Sequence, residues 1–278
     1  MQEQAKAAAF RALHSGPEIL LLPNVWDVAS AHIVEEAGFK AVATSSAGIA
    51  FSLGYPDGEA ISREEMLAAI ARIAKAVKVP VTADVESGYG KTPEDAAKTA
   101  RAVIDAGAVG MNLEDAAHDS SPALVDLSLQ LEKIRAVREI ANRVRVPLVL
   151  NARTDVYLLQ IGEPTKRYDE TVRRLSAFRD AGADCVFAPG LQDAPTIGRL
   201  VTDLKCPVNI LAGPGSPFVP ELSKLGVARV SLGSAPMRAA LGQLRRLAAE
   251  LKTAGTYSAL DGAPSYADLN LLMARSKG

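Results

Sequence analysis

The chain has 278 residues, 48% of them hydrophobic, with 31 basic and 32 acidic side chains giving a formal net charge of −1. That length can bury a large core without disulfide or metal staples, and the balanced charge, without a long basic run, argues against nucleic acid or an anionic membrane surface as a partner. No apolar stretch approaches the ~20 residues of a membrane span, and the polar, acid-bearing start Met1-Gln2-Glu3 is unlike a secretory signal. The expected compartment is therefore the cytoplasm. Cys185 and Cys206, both inside apolar runs, read as thiols buried in a reducing environment.

Along the chain, eight apolar runs read as strands, beginning near Ile19, Ala41, Val79, Ala108, Val146, Ala183, Cys206 and Val227. Helical spacing fills the gaps between them, as in Arg63 to Ile73 and Pro93 to Ile104. Four joints repeat a helix tail, a glycine and a strand, at Gly38, Gly107, Gly182 and Gly226; glycine there takes the left-handed conformation that ends a helix. Three others use a proline at the strand start, Pro80, Pro147 and Pro207, where a missing N–H does little harm. Strands alternating with amphipathic helices imply a parallel sheet, and eight of each imply closure into a (β/α)8 TIM barrel. The barrel domain is placed at 1–252 and a C-terminal helical extension at 253–278. In the extension, Asp261 or Ser265 can cap a short last helix whose apolar face carries Leu269, Leu271, Leu272 and Met273. Packing on a neighbouring subunit is favoured over a lid on its own barrel, since a completed barrel has no empty slot.

The chemistry gathers at strand ends. Val79 to Ala83 runs into Asp84 and Glu86, Ala108 to Leu113 into Glu114, and Val146 to Leu150 into Arg153. In this barrel the strand C-termini form the active face. Acids crowded at one rim repel unless a cation sits among them. Mg2+, or Mn2+ in its place, takes oxygen ligands and keeps several waters, so Asp84, Glu86, Glu114 and the loop acid Asp57 are the candidate metal ring. Arg153 can grip a substrate carboxylate through a bidentate fork, or else pair structurally with Glu114 or Asp155. Ser45, Ser46 and Ala47, after the second strand, offer hydroxyls and N–H groups for a carboxylate or oxyanion. Asn209 ends the seventh strand facing the expected mouth. His118, in the loop after the fourth strand, is either an acid–base group or simply solvated, and Tyr89 either donates to an oxyanion or packs at the rim.

Taken together, Ser-Leu-Gly-Tyr-Pro-Asp (52–57), Ala-Asp-Val-Glu-Ser-Gly-Tyr-Gly (83–90), Gly-Met-Asn-Leu-Glu-Asp (110–115), Asn-Ala-Arg-Thr-Asp (151–155) and Pro-Val-Asn (207–209) resemble the isocitrate lyase/phosphoenolpyruvate mutase superfamily, in family order over nearly the whole barrel. The resemblance implies Mg2+ bound directly by Asp84, with Asp57, Glu86 and Glu114 acting through water. It implies a 2-oxo acid or its enolate held by Ser45, the following amides, Asp84 and Arg153. It also implies a homo-oligomer, dimer or tetramer, that swaps its last barrel helices. The departures lie where substrates are selected. Lyases of the superfamily carry a cysteine proton donor in the loop after the fourth strand, where this chain reads Ala116 to Pro122. They place a glutamate after the sixth strand, where this chain has Phe187-Ala188-Pro189-Gly190. Phosphoenolpyruvate mutase has a lysine and an asparagine in the first of these loops, and both are missing.

The expected activity is thus Mg2+-dependent C–C cleavage or decarboxylation of a small 2-oxo or 2-hydroxy carboxylic acid through a metal-stabilised enolate. Arg153, Glu114 and His118 are the catalytic candidates. Phosphonate chemistry of the mutase or phosphonopyruvate hydrolase kind, and 2-oxo acid binding without turnover, are the alternatives.

Overall fold

A computed structural model describes residues 2–117 and 123–275, and its main sheet closes on itself at a proline. The run after helix α1 (Gln2–Leu13) is split by Pro23 into β1 (Leu20–Leu22) and β2 (Asn24–Val25). β1 pairs with the last strand of the sheet and β2 with the next strand along the chain, all parallel. The two ends of the nine-stranded sheet are therefore one continuous stretch, and the barrel has the eight strand positions expected.

The order that follows is α2 (Val28–Glu36), β3 (Val42–Thr44), α3 (Ser46–Ser52), α4 (Arg63–Ala76), β4 (Val81–Asp84), α5 (Pro93–Asp105) and β5 (Gly110–Glu114). A small antiparallel pair, β6 (Ala116–Ala117) and β7 (Ala123–Leu124), precedes α6 (Leu127–Arg143) and β8 (Val149–Arg153). Then come α7 (Arg167–Asp180), β9 (Cys185–Phe187), α8 (Ala194–Leu204), β10 (Val208–Leu211), α9 (Val219–Lys224), β11 (Arg229–Ser231), α10 (Ala235–Thr253) and α11 (Tyr266–Ala274).

Local sequence explains the regular parts. The α5 helix starts at a reciprocal cap between Thr92 and Asp95, with Pro93 just inside, and buries Ala96, Ala100, Val103 and Ile104 along one stripe. β4 and β5 are buried along their whole length, as strands covered on both faces must be. The barrel floor is plugged from below by α1. Phe10 is fully buried, and His14 meets its ring edge-on at 4.8 Å. Gly110 makes room for this plug, because a Cβ there would lie 2.7 Å from the Phe10 ring.

The last helices are only lightly packed within the chain. α10 has one buried residue, Met237, and leaves Leu241, Leu244 and Leu251 exposed along one stripe. The outer face of β1 is only partly covered. Leu21 and the preceding Ile19 are half-buried and line an open cleft of about 530 Å3 with Leu13, Pro17 and Phe39. The short α11 is capped by Ser265, packs on α2 and adds an ion pair between Arg275 and Glu36 at 2.9 Å. It lies against the side of the barrel, and of its residues only Leu272 is buried.

Candidate active site

The C-terminal ends of the strands enclose a cavity of about 300 Å3. Asp84, at the end of β4, is held in place by its neighbours. Its Oδ2 accepts from the Ser46 N–H at 3.0 Å and the Ser46 hydroxyl at 2.9 Å, and its own N–H donates to Thr44 Oγ1 at 2.9 Å. Among the described residues, Oδ1 receives only a long 3.3 Å contact from the Asn112 amide, and it retains acceptor capacity beside the cavity. That amide has one orientation available. Asn112 Oδ1 accepts from Asn151 at 2.7 Å and from the fully buried Arg229 at 3.4 Å, so its NH2 must face Asp84. Burial lowers the Arg229 pKa to about 10, which leaves the guanidinium charged beneath the site.

Arg153, at the end of β8, lines the same cavity between two carboxylates. Its Nη1 lies 2.6 Å from Glu114, and Nε and Nη2 donate to Asp155 at 2.6 and 3.0 Å. Burial alone would lower its pKa; Glu114 and Asp155, helped by Asp84, outweigh that and raise it. Both structural partners foreseen for Arg153 are thus present at once, and two of its N–H groups remain for a ligand. The wall beyond it is apolar, made of Leu158, Phe187, Pro189 and Leu211.

The other expected residues divide. Asp57, Ser45, Ser46 and Ala47 line the cavity. Ser46 is committed to Asp84, however, and the Ser45 hydroxyl caps α3 by accepting from Gly48 N at 3.1 Å. The cradle therefore positions the acid first and is less open to a ligand than expected. Glu86 is buried behind the rim and accepts from Glu59 N at 2.5 Å. Asn209 faces inward one layer too deep: it is fully buried and bonds Ser231 at 3.1 Å, while Leu211, two residues later, reaches the cavity. The two-residue pleat moves a side chain from mouth to floor within one strand. His118 lies outside the described residues.

Supporting residues that the sequence reading missed come from distant segments. Glu59 Oε1 accepts from the Ser87 hydroxyl at 2.7 Å and Tyr89 N at 2.8 Å, tying two rim loops together. Glu59, Glu86 and Tyr89 all have positive φ (57°, 52° and 56°), so three of the six such non-glycine residues among those described sit here. Clustered strain of this kind, about 1–3 kcal/mol each, marks a site whose surroundings over-determine it. Lys133 is buried and donates to the Ser87 and Gly90 carbonyls at 3.2 and 2.8 Å. Its signal was available, since it falls on the buried stripe of α6 with Gln130, Ile134, Val137 and Ala141.

Whether a divalent cation suits this rim can be judged from the donors. Among the described residues, no three His, Cys, Asp or Glu groups converge closely enough to hold a metal directly. One carboxylate, Asp84, has acceptor capacity at the cavity, and Asp57 lines it too. The Tyr89 hydroxyl is buried without a hydrogen-bond partner among the described residues. Its pKa is raised by burial and then by Glu86, Glu59, Asp84 and Asp57. One direct ligand with acids and a phenol around it fits Mg2+, which keeps most of its waters, better than Zn2+, which takes four protein-rich ligands.

Fold and rim together define a (β/α)8-barrel protein with its candidate active site at the C-terminal face. The chain belongs to the phosphoenolpyruvate phosphomutase family, whose model matches residues 10–252, within the isocitrate lyase/phosphoenolpyruvate mutase superfamily of lyases and mutases. An uncharacterized protein of Mycobacterium tuberculosis is 37% identical over 84% of each chain. The 2-methylisocitrate lyase of Bacillus subtilis is 30% identical over 68% of this chain and 62% of its own length. An oxaloacetate decarboxylase of Rhodopseudomonas palustris is 28% identical over 84% and 81%. Among solved structures, a Burkholderia cenocepacia protein described only by class, as a lyase/mutase, superposes with TM-score 0.92 at 40% identity, covering 98% and 97% of the two chains. Oxaloacetate acetylhydrolase with 3,3-difluorooxalacetate superposes at TM-score 0.86 and 28% identity, covering 98% and 94%.

Proposed function

We propose that the protein is a divalent-metal-dependent lyase that cleaves a C–C bond of, or decarboxylates, a small 2-oxo or 2-hydroxy acid. The observation that carries this reading is the pair at the rim: Asp84, braced by Ser46 with an acceptor facing the cavity, and Arg153, clamped by Glu114 and Asp155. Mg2+ bound at Asp84 would supply the Lewis acidity that draws charge onto the substrate oxygen at C2. Arg153 holds the adjacent carboxylate with its two remaining N–H groups, and its acid partners keep the fork from rotating. Leu158, Phe187, Pro189 and Leu211 keep water from the far side of the cavity and strengthen these polar contacts.

Among the described residues, no histidine or cysteine lines the cavity. That favours decarboxylation of an oxaloacetate-like acid over a cleavage that needs a dedicated cysteine donor. The relatives that act on oxaloacetate support the same substrate class. The working form is a cytoplasmic homo-oligomer, in which the apolar stripe of α10 finds its cover on a second copy.

The test is an NMR product assay on oxaloacetate, isocitrate, 2-methylisocitrate and phosphonopyruvate, with Mg2+, with Mn2+ and with EDTA. The expected result is metal-dependent pyruvate from oxaloacetate, lost in Asp84→Ala while the thermal melt is retained. Phosphate release from phosphonopyruvate alone would replace this reading with phosphonate chemistry. Silence across the whole panel would refute the lyase assignment for these substrates.

A further inference from the structure

The charge around the cavity is uneven. At the β4 and β8 strand ends, Arg153 is already matched by two carboxylates and Asp84 adds more negative charge, while Asp57, in the loop after β3 and α3, also lines the cavity. The β8–β10 side is the apolar wall. A substrate with two carboxylates could place the first at Arg153, and neither of these sides offers a cation for the second.

The remaining side does. Arg238, in the second turn of α10, lines the cavity, is exposed, and pairs with no carboxylate among the described residues. The turn that delivers it is rigid. Asn24 is buried, its Oδ1 accepts from Leu232 N and Gly233 N at 2.8 Å each, and its amide donates to the Thr44 carbonyl at 2.8 Å. Gly233 has φ 56°, and a Cβ there would lie 3.1 Å from Leu211. From this turn, Ser234 also faces the cavity, and its carbonyl accepts from Arg238 N at 3.0 Å. An arginine at the rim of a small cavity, with no acid of its own among the described residues, is arranged for an anionic group brought in by the ligand.

We propose that Arg238, with Ser234 beside it, binds the substrate carboxylate distal to the metal and so selects a diacid over a monoacid. This rests on the 2-oxo acid reading above and narrows it. A cavity of about 300 Å3 is at the small end for ligand sites, which favours a short diacid over a long chain.

The test is calorimetry in Mg2+ on the full chain with two probes of similar size, 3,3-difluoro-2-oxobutyrate and 3,3-difluorooxaloacetate, which differ in the second carboxylate. The wild type should bind the diacid at least about 10-fold more tightly than the monoacid. Arg238→Gln should weaken the diacid roughly 10- to 100-fold, the loss expected for a charge-assisted pair, with the monoacid within about twofold. Arg238→Lys should restore part of the loss. A wild type without preference for the diacid, or an Arg238→Gln variant that weakens both probes equally or neither, overturns the assignment while the 2-oxo acid reading stands. A wild type that binds neither probe overturns both. Arg238 is exposed, so the substitutions should leave the melting temperature unchanged, which the same samples can report.

Discussion

Asp115 offers a direct measure of how the rim is braced. It is fully buried behind Glu114 and accepts from Thr154 Oγ1 at 2.7 Å, Asp155 N at 2.9 Å and Arg174 Nη1 at 3.1 Å. Burial nevertheless raises its pKa from 3.8 to about 6. The folded state therefore holds this proton more tightly than the unfolded chain does. The stabilisation from this group is complete below 3.8, is withdrawn as pH rises through about 6, and changes little above that. The two values correspond to about 3 kcal/mol.

Arg174→Met removes the counter-charge, together with bonds to the Val125 carbonyl at 3.1 Å and to Glu170 at 2.8 Å. Asp115 should then titrate higher still, so that stability keeps falling above pH 6, where the wild type has levelled off. A buried carboxylate stripped of its cation costs about 3–5 kcal/mol while it stays ionised. Protonation at lower pH relieves that cost and leaves the lost hydrogen bonds, about 1–2 kcal/mol. Urea unfolding of both proteins at pH 5.5 and 8.5 should therefore show a deficit roughly twice as large at the higher pH. Equal deficits at the two values would refute the coupling. Because Asp115 also positions the Asp155 backbone, and Asp155 clamps Arg153, the variant should weaken substrate affinity as well.

Two further outcomes are expected. Burial, with Arg229 adding, lowers the His14 pKa from 6.5 to about 4, so its stabilisation is present above 6.5 and lost as pH falls through about 4. His14→Leu should flatten that acid limb by about 3 kcal/mol in melts followed by circular dichroism, and an unchanged limb would discount the floor plug as its source. Leu244, 59% exposed on the α10 stripe, should lie in a contact between copies; Leu244→Glu should convert a dimer or tetramer to monomer in sedimentation velocity, whereas a monomeric wild type at micromolar concentration would refute the assembly.

Sequence by itself determined what depends on near neighbours. Strand starts, glycine and proline joints, the amphipathic helices and the polar residue closing each strand follow from local pattern, and the ordered motifs marked the superfamily. Tertiary structure decided everything set by pairing across the barrel. Arg153 meets Glu114 because β5 and β8 run in register, and Ser46 reaches Asp84 from another strand's loop. Asn209 looked like a rim residue, and the pleat sets it a layer down. Nothing local could reveal that the first strand pairs at both ends of the sheet, that Glu59 and Lys133 brace the loops, or that Arg238 turns into the cavity. Such contacts join residues far apart in the chain, and a single step of strand phase changes which side chain faces the substrate.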